Sequence, residues 1–259
     1  MSQSPRKAWR EAVIEYSKEL KLPMIRKYME EHVQEAMQRD ASYEEFLAHL
    51  LQKECDARRE ASRYNRIRLA EFTHKKYLED LVVEDLPEDA QKKLKLLKTL
   101  DFIREGRNVI LAGNPGTGKT HMAIGLGMKA CLEGYKVWFT TVPLLVSFIK
   151  EHLAEQPLRV FQNRFEKYDL VIADEMGYIS FDKEGAELLF THLSLRAGRK
   201  STIITTNLSF ERWGEIFQDP VMTAAMIDRL THQSYIVNMN GNSYRMKETK
   251  EWLIKQQLA

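Results

Sequence analysis

The hydrophobic rhythm of the chain changes once. Over roughly the first 80 residues, apolar side chains recur at helical spacing among charged ones: Leu20, Met24 and Tyr28, then Tyr43, Phe46, Leu47, Leu50 and Leu51. No glycine interrupts this stretch. Asp40 or Ser42 can cap a helix that starts near Tyr43, and Glu45 stands three residues after Ser42, where a capping box places its acid. The pattern predicts a small all-helical N-terminal domain over residues 1–80. It weakens from Leu78 to Pro87, and LVVEDLPEDA reads as a connector that ends in a helix start. From Glu88 onward, short apolar runs alternate with helical patterns. The predicted strands are Asn108–Ala112, Lys136–Thr141, Leu170–Ala173, Ser201–Thr206 and Ser234–Asn238. Strands separated by helices predict an α/β domain over 81–259, a parallel sheet flanked by helices.

The first strand runs into GNPGTGKT, Gly113 to Thr120. Gly113, Gly116 and Gly118 free the backbone to curl so that its N–H groups converge on an anion, with Asn114, Pro115 and Thr117 between them. The helix that follows, with His121 in its first turn, adds the positive end of its dipole. Lys119 is placed to reach the β- and γ-phosphates of ATP, and the Thr120 hydroxyl to ligate Mg²⁺. A glycine turn with a solvated lysine would carry some of these residues, but not the whole pattern between a strand and a helix.

A second strand, in YDLVIADEMGY, ends in two acids. Asp174 at its tip is the second metal-holding residue, and Glu175 is the candidate base that polarises the attacking water. Between Lys119 and Asp174 lies a complete extra unit of helix, strand and helix. The strand Ser201–Thr206 ends at Asn207; inserted between the other two strands, it would set Asn207 beside Glu175, where the amide can orient that water. Thr205 and Thr206 read as structural. Arg229, in DRL before the last strand, suits an arginine offered to a neighbouring subunit's ATP; a surface pair with Asp228 is the plainer alternative. No NKxD-like guanine-reading segment is present, and the set favours ATP hydrolysis.

Composition narrows the setting. A net charge of +2 over 259 residues gives no whole-chain argument for nucleic acid, so local patches must carry it. Cys55 and Cys131 lie far apart and make no metal spacing, which fits a reduced cytoplasmic protein. No signal-peptide core and no run of about 18 apolar residues stands out, so a soluble protein with no membrane partner is expected.

The ordered set GNPGTGKT, IADE, TTN and DRL resembles the AAA+ ATPases. More narrowly, DEMGY, NLSFERWGEIFQDPVMTAAMIDRLTHQSYIVNM and GNSYRMKET resemble the IstB family, the ATPase helpers of IS21-type transposons. The likeness runs from about Glu88 to Glu248, and more loosely through the helical region. It implies a DNA-binding homo-oligomer, with ATP at its subunit interfaces, that prepares largely non-specific duplex DNA for a DDE transposase. Loaders of the replicative helicase share the core and are the alternative; GY after the acids and SFERWGE favour the transposon helper. AAA+ enzymes usually carry a helical lid with a second sensing arginine. Only about 20 residues follow Asn238, and Arg245 is the residue placed to take part of that role.

Two stretches are candidates for DNA. From Arg58 to Tyr77, seven Lys/Arg stand against Glu60 and Glu71, and Arg59, Arg63 and Arg66 share a helical face near Tyr64. Such a stripe can neutralise phosphates without reading bases, although a solvated helix face looks the same. In Phe148–Tyr168, Pro157 would break one helix into two, and Arg159, Arg164 and Lys167 would line a groove like that of the helicase loaders, an ordinary covering helix being the plainer alternative. A degenerate ATPase that only clamps DNA is the rival of a different class; Glu175 and Asn207 argue against it.

Overall fold

Each of the five apolar runs is a strand in the computed structural model, which describes residues 5–155 and 165–257. They are β1 (Val109–Ala112), β2 (Val137–Thr141), β3 (Leu170–Met176), β4 (Ser201–Thr206) and β5 (Tyr235–Asn238). All pairings are parallel, and the order across the sheet is β2-β3-β4-β1-β5. β4 thus lies between the strand that leads into the glycine loop and the strand that ends in the acids. Parallel strands covered on both faces read as continuous apolar runs, because alternate side chains enter different cores. Val109 and Leu111 enter one core with Phe139, Ile172 and Ile203, while Ile110 enters the other with Trp138, Val171 and Ile204.

The first core is closed by α4 (Glu88–Leu97) and α6 (Lys119–Leu132), with α5 (Asp101–Arg104) feeding into β1. The second is closed by α7 (Val142–Glu155), α8 (Lys183–Arg196), α9 (Gly214–Phe217) and α10 (Pro220–Thr231). Local chemistry starts these helices. Asp182 accepts the Gly185 N–H to cap α8, and Asp219 accepts the Met222 N–H to cap α10, whose first residue is Pro220. A last helix, α11 (Tyr244–Gln257), follows β5.

The chain divides into two compact units, residues 1–65 and 66–259. This division falls short of the boundary expected near residue 80. Residues after 65 belong with the sheet unit, where the Ala70 carbonyl accepts the Phe139 N–H and Leu78 is buried in the first core. The unit 1–65 is helical, with α1 (Pro5–Glu19), α2 (Pro23–Gln38) and most of α3 (Tyr43–Leu69). Leu20, Met24 and Tyr28 do not share one helix as their spacing suggests. Lys21 adopts a left-handed φ of 56° and Pro23 opens a new helix. The start of α2 is capped from a distance: the buried Glu54 carboxylate on α3 accepts from Met24 N at 2.8 Å and Ile25 N at 3.2 Å. Ser42 caps α3 by accepting the Glu45 N–H, while Asp40 stays in the turn with φ 51°. Among the described residues, no helix is long and apolar enough to cross a membrane.

Candidate nucleotide-binding site

The loop after β1 is fixed from behind. Gly113 N–H donates to Thr206 O, and Thr117 Oγ1 donates to Asn114 O. A side chain at Gly113 would meet the backbone of Met239 at 2.2 Å, and one at Gly116 would meet Ser243 Oγ at 2.2 Å. Glycine is therefore required because the segment leading to α11 lies directly on the loop. Tyr244 N–H, at the start of α11, donates to Gly116 O at 2.9 Å. The connector closes a further side, with Leu86 against Gly118 and Pro87 against Gly241. His121 turns its ring to the connector, where a ring nitrogen lies 2.9 Å from Tyr77 O.

Lys119 opens α6 and is buried. Its Nζ donates to Gly113 O at 2.7 Å and Asn114 O at 2.6 Å. Burial pulls its pKa down to about 8; the Asp174 carboxylate pushes it up and the Arg245 charge pushes it down. That last influence places Arg245, exposed in the first turn of α11, within electrostatic reach of the loop lysine.

Asp174 is only 3% exposed, and the Thr120 hydroxyl sits on its carboxylate, 3.0 Å from Oδ1 and 3.1 Å from Oδ2. The two residues read as metal ligands are therefore adjacent. A hydroxyl and a carboxylate are hard oxygen donors of the type Mg²⁺ takes, so the residues fit a magnesium–nucleotide complex. Past Asp174, β3 bulges. Ala173 pairs with Ile204, but Met176 pairs with Thr206, so β3 carries one extra residue there. The bulge puts Glu175 into the left-handed region at φ 65° and turns it out of the sheet, exposed between buried neighbours. A non-glycine residue in that conformation is strained, and such strain persists where surrounding contacts fix it. Here the contact is Thr205, whose hydroxyl donates to Asp174 Oδ1 and accepts the Glu175 N–H at 3.0 Å. Thr205, read from the sequence as structural, thus touches both acids; its one sequence signal is its place one residue before the end of the inserted strand.

Asn207 follows Thr206, the partner of Met176, so it stands exposed at the same sheet edge as Glu175. Arg229 does not join this group. Leu230, its neighbour, offers its carbonyl to Asn108 Nδ2 at the opposite end of β1, so roughly 16 Å of strand separates that carbonyl from the loop. Its guanidinium lies over the Phe190 ring, 4.7 Å from the centroid.

The basic candidates differ in their surroundings. Arg59 and Arg63 are exposed, and Arg59 pairs with Asp56 at 3.3 Å. Arg66 is half-buried and its Nε donates to Cys131 O at 2.7 Å, which takes it out of an open phosphate-facing stripe. Lys167 is exposed, while Arg159, Arg164 and Pro157 lie outside the described residues.

Comparison with known proteins supplies the family. The model of the IstB-like ATP binding proteins matches residues 15–252. A protein of Geobacillus stearothermophilus named as the ATP-binding protein of insertion sequence IS5376 is 35% identical over 241 residues, 93% of this chain and 96% of that one. Its counterpart from insertion sequence IS21 of Pseudomonas aeruginosa is 34% identical, over 90% of this chain and 88% of its own. Among solved structures, DnaI superimposes with a TM-score of 0.54 at 19% identity, covering 64% of this chain and 91% of that chain. The replication initiator DnaA bound to AMPPCP and single-stranded DNA gives 0.56 at 20%, covering 70% of this chain and 55% of that chain. At these identities the likeness is one of fold, and the fold is that of an AAA+ core.

Proposed function

We propose, from the premise that this chain belongs to the IstB-like ATP-binding proteins, that it hydrolyses ATP while assembled on DNA and so assists an IS21-type transposase. The observation that supports this best is the acidic tip. A binding-only module needs Lys119 and the glycines, but has no use for a strained, exposed Glu175 held beside a buried Asp174. In this reading Lys119 and the loop N–H groups hold the phosphates. Thr120 and Asp174 hold Mg²⁺, which when bound neutralises charge on the phosphate oxygens. Glu175 takes a proton from the attacking water, and Asn207 orients that water. Arg245 adds positive charge near the same phosphates.

Arg229 lies at the wrong end of β1 to serve its own subunit's ATP. In this reading it is offered to a neighbour's, so that hydrolysis needs a homo-oligomer with ATP between subunits. Duplex DNA held through its backbone aligns the subunits, with exposed Arg59, Arg63 and Lys167 as contacts, together with Arg159 and Arg164. The DDE transposase of the same insertion element is the partner that receives this DNA.

The test is a mixing experiment. Arg229→Ala and Lys119→Ala chains are each expected to be inactive, the first because loss of a transition-state arginine costs about 10³-fold or more in turnover, the second because the phosphates lose their lysine. Mixed, they form some interfaces with an intact Lys119 site facing an intact Arg229, and phosphate release returns. No recovery in mixtures shown to co-assemble would overturn action between subunits. A strand-transfer assay with the element's transposase, with and without Glu175→Gln, tests the assisting role. Equal integration in both would refute it.

A further inference from the structure

We propose that the helical unit carries a transition-metal site built from His32, Glu35 and His49. One ring nitrogen from each histidine and one oxygen of Glu35 lie within 4.8 Å of one another. His32 and Glu35 are three residues apart and so share a face of α2. His49 arrives from α3, and its ring meets His32 edge-on with centroids 5.6 Å apart. Ligand atoms around a tetrahedral Zn²⁺ stand about 3.4 Å apart, given bonds of roughly 2.0–2.2 Å. To reach that spacing the ligand atoms must draw together, and Glu35 and His49 are only half-buried.

A separate observation points to a ligand. His32 is only 8% exposed, and its Nδ1 is buried with no hydrogen-bond partner. Buried polar atoms are nearly always satisfied. Glu35 Oε2 lies 3.8 Å from that nitrogen, too far for a hydrogen bond, and a cation between them would satisfy both. The cluster borders a cleft of about 290 Å³ that Phe46, Gln52, Glu45 and Arg39 also line. Arg39 opposes a cation there and Glu45 offsets it.

The donor set selects the class of ion. Two imidazoles and a carboxylate suit a borderline first-row dication such as Zn²⁺, whereas Mg²⁺ and Ca²⁺ prefer all-oxygen sets. Three protein ligands leave a fourth position for water or a partner's side chain. The metal would clip α2 to α3 within residues 1–65, and it shares no residue with the nucleotide site.

The test uses the full chain, stripped with chelator and titrated with Zn²⁺ and, separately, Co²⁺. One equivalent of Zn²⁺ should bind. Co²⁺ should give the intense visible absorption of a tetrahedral site. His49→Gln and Glu35→Gln should each weaken Zn²⁺ by about 10- to 100-fold or more, since losing even an outer-shell partner costs that much. Asp174→Asn should leave the titration unchanged, which excludes uptake at the nucleotide site. No binding, a weak octahedral Co²⁺ spectrum, or equal affinity in His49→Gln would each overturn the proposal. Stability lost in Glu35→Gln with no metal uptake by the native chain would instead assign the cluster to a His32–Glu35 ion pair. The Co²⁺ spectrum of the native chain decides the matter even if a variant fails to fold.

Discussion

ATP binding should be linked to a proton on Lys119, and the link has a sign and a size. Burial holds the pKa of this lysine at about 8, well below its ordinary 10.5. A bound triphosphate places several negative charges against the ammonium and raises that value again. Below pH 8 the free protein already carries the proton and affinity is full. Above pH 8 each bound ATP must bring a proton with it, so affinity falls about tenfold, or ~1.4 kcal/mol, per pH unit. Between pH 7 and pH 9 the Kd should therefore rise about tenfold. The assay is equilibrium titration with a fluorescent ATP analogue from pH 7 to 9.5. Lys119→Arg serves as control, because a guanidinium stays charged throughout and should lose the slope even if binding weakens overall. The same shift acts on stability. The unfolded chain holds this proton more tightly than the folded one, so between pH 8 and 10.5 Lys119's contribution moves in favour of the fold as pH rises. A Kd that stays flat from pH 7 to 9.5 in the native chain would refute the reasoning.

Thr205→Val keeps the shape of the side chain but removes the hydroxyl that joins Asp174 to the Glu175 N–H. Phosphate release should fall by about 10-fold or more while ATP affinity changes little, and denaturant unfolding should show a loss of about 1–3 kcal/mol. Glu175→Gly should abolish hydrolysis yet raise stability by about 1 kcal/mol, because glycine adopts the left-handed φ of 65° without strain; Glu175→Gln should lose activity without that gain. Glu54→Ala removes the carboxylate that caps α2 from α3. It should cost about 1–2 kcal/mol, read as earlier unfolding of the helical unit by hydrogen exchange, with the nucleotide site unaffected.

The strands were legible because each is a short apolar or β-branched run, most of them buried on both faces with only the edge strand β5 partly exposed, and four of the five end at the residue their pattern indicates. The exception is β3. It runs past Ala173 to Met176 through a bulge, and a bulge depends on the register with β4, which no local pattern encodes. The meeting of Lys119, Thr120 and Asp174 could be read from motif order alone. The part of Thr205 could not, since it rests on which strand lies beside the acids and on a one-residue offset. The compact units divide at residue 65, earlier than the periodicity suggests, for a related reason. Helical periodicity continues through Leu69, while the change of partner at residue 66 is set by contacts with α6 and β2, distant in sequence. His32 and His49 are separated by the end of α2, a loop and the start of α3, so their closeness appears only once α2 and α3 are packed.

The central claim is that this chain spends ATP by hydrolysis on DNA, with Glu175 as the base. The most direct measurement is phosphate release from ATP and Mg²⁺ by the full chain, with and without duplex DNA of unrelated sequence, alongside Glu175→Gln. Turnover should rise when DNA is added and fall by about 10²-fold or more in Glu175→Gln, which should still bind ATP. Release by Glu175→Gln at the native rate, or no release by the native chain with Mg²⁺ and DNA present, would contradict it.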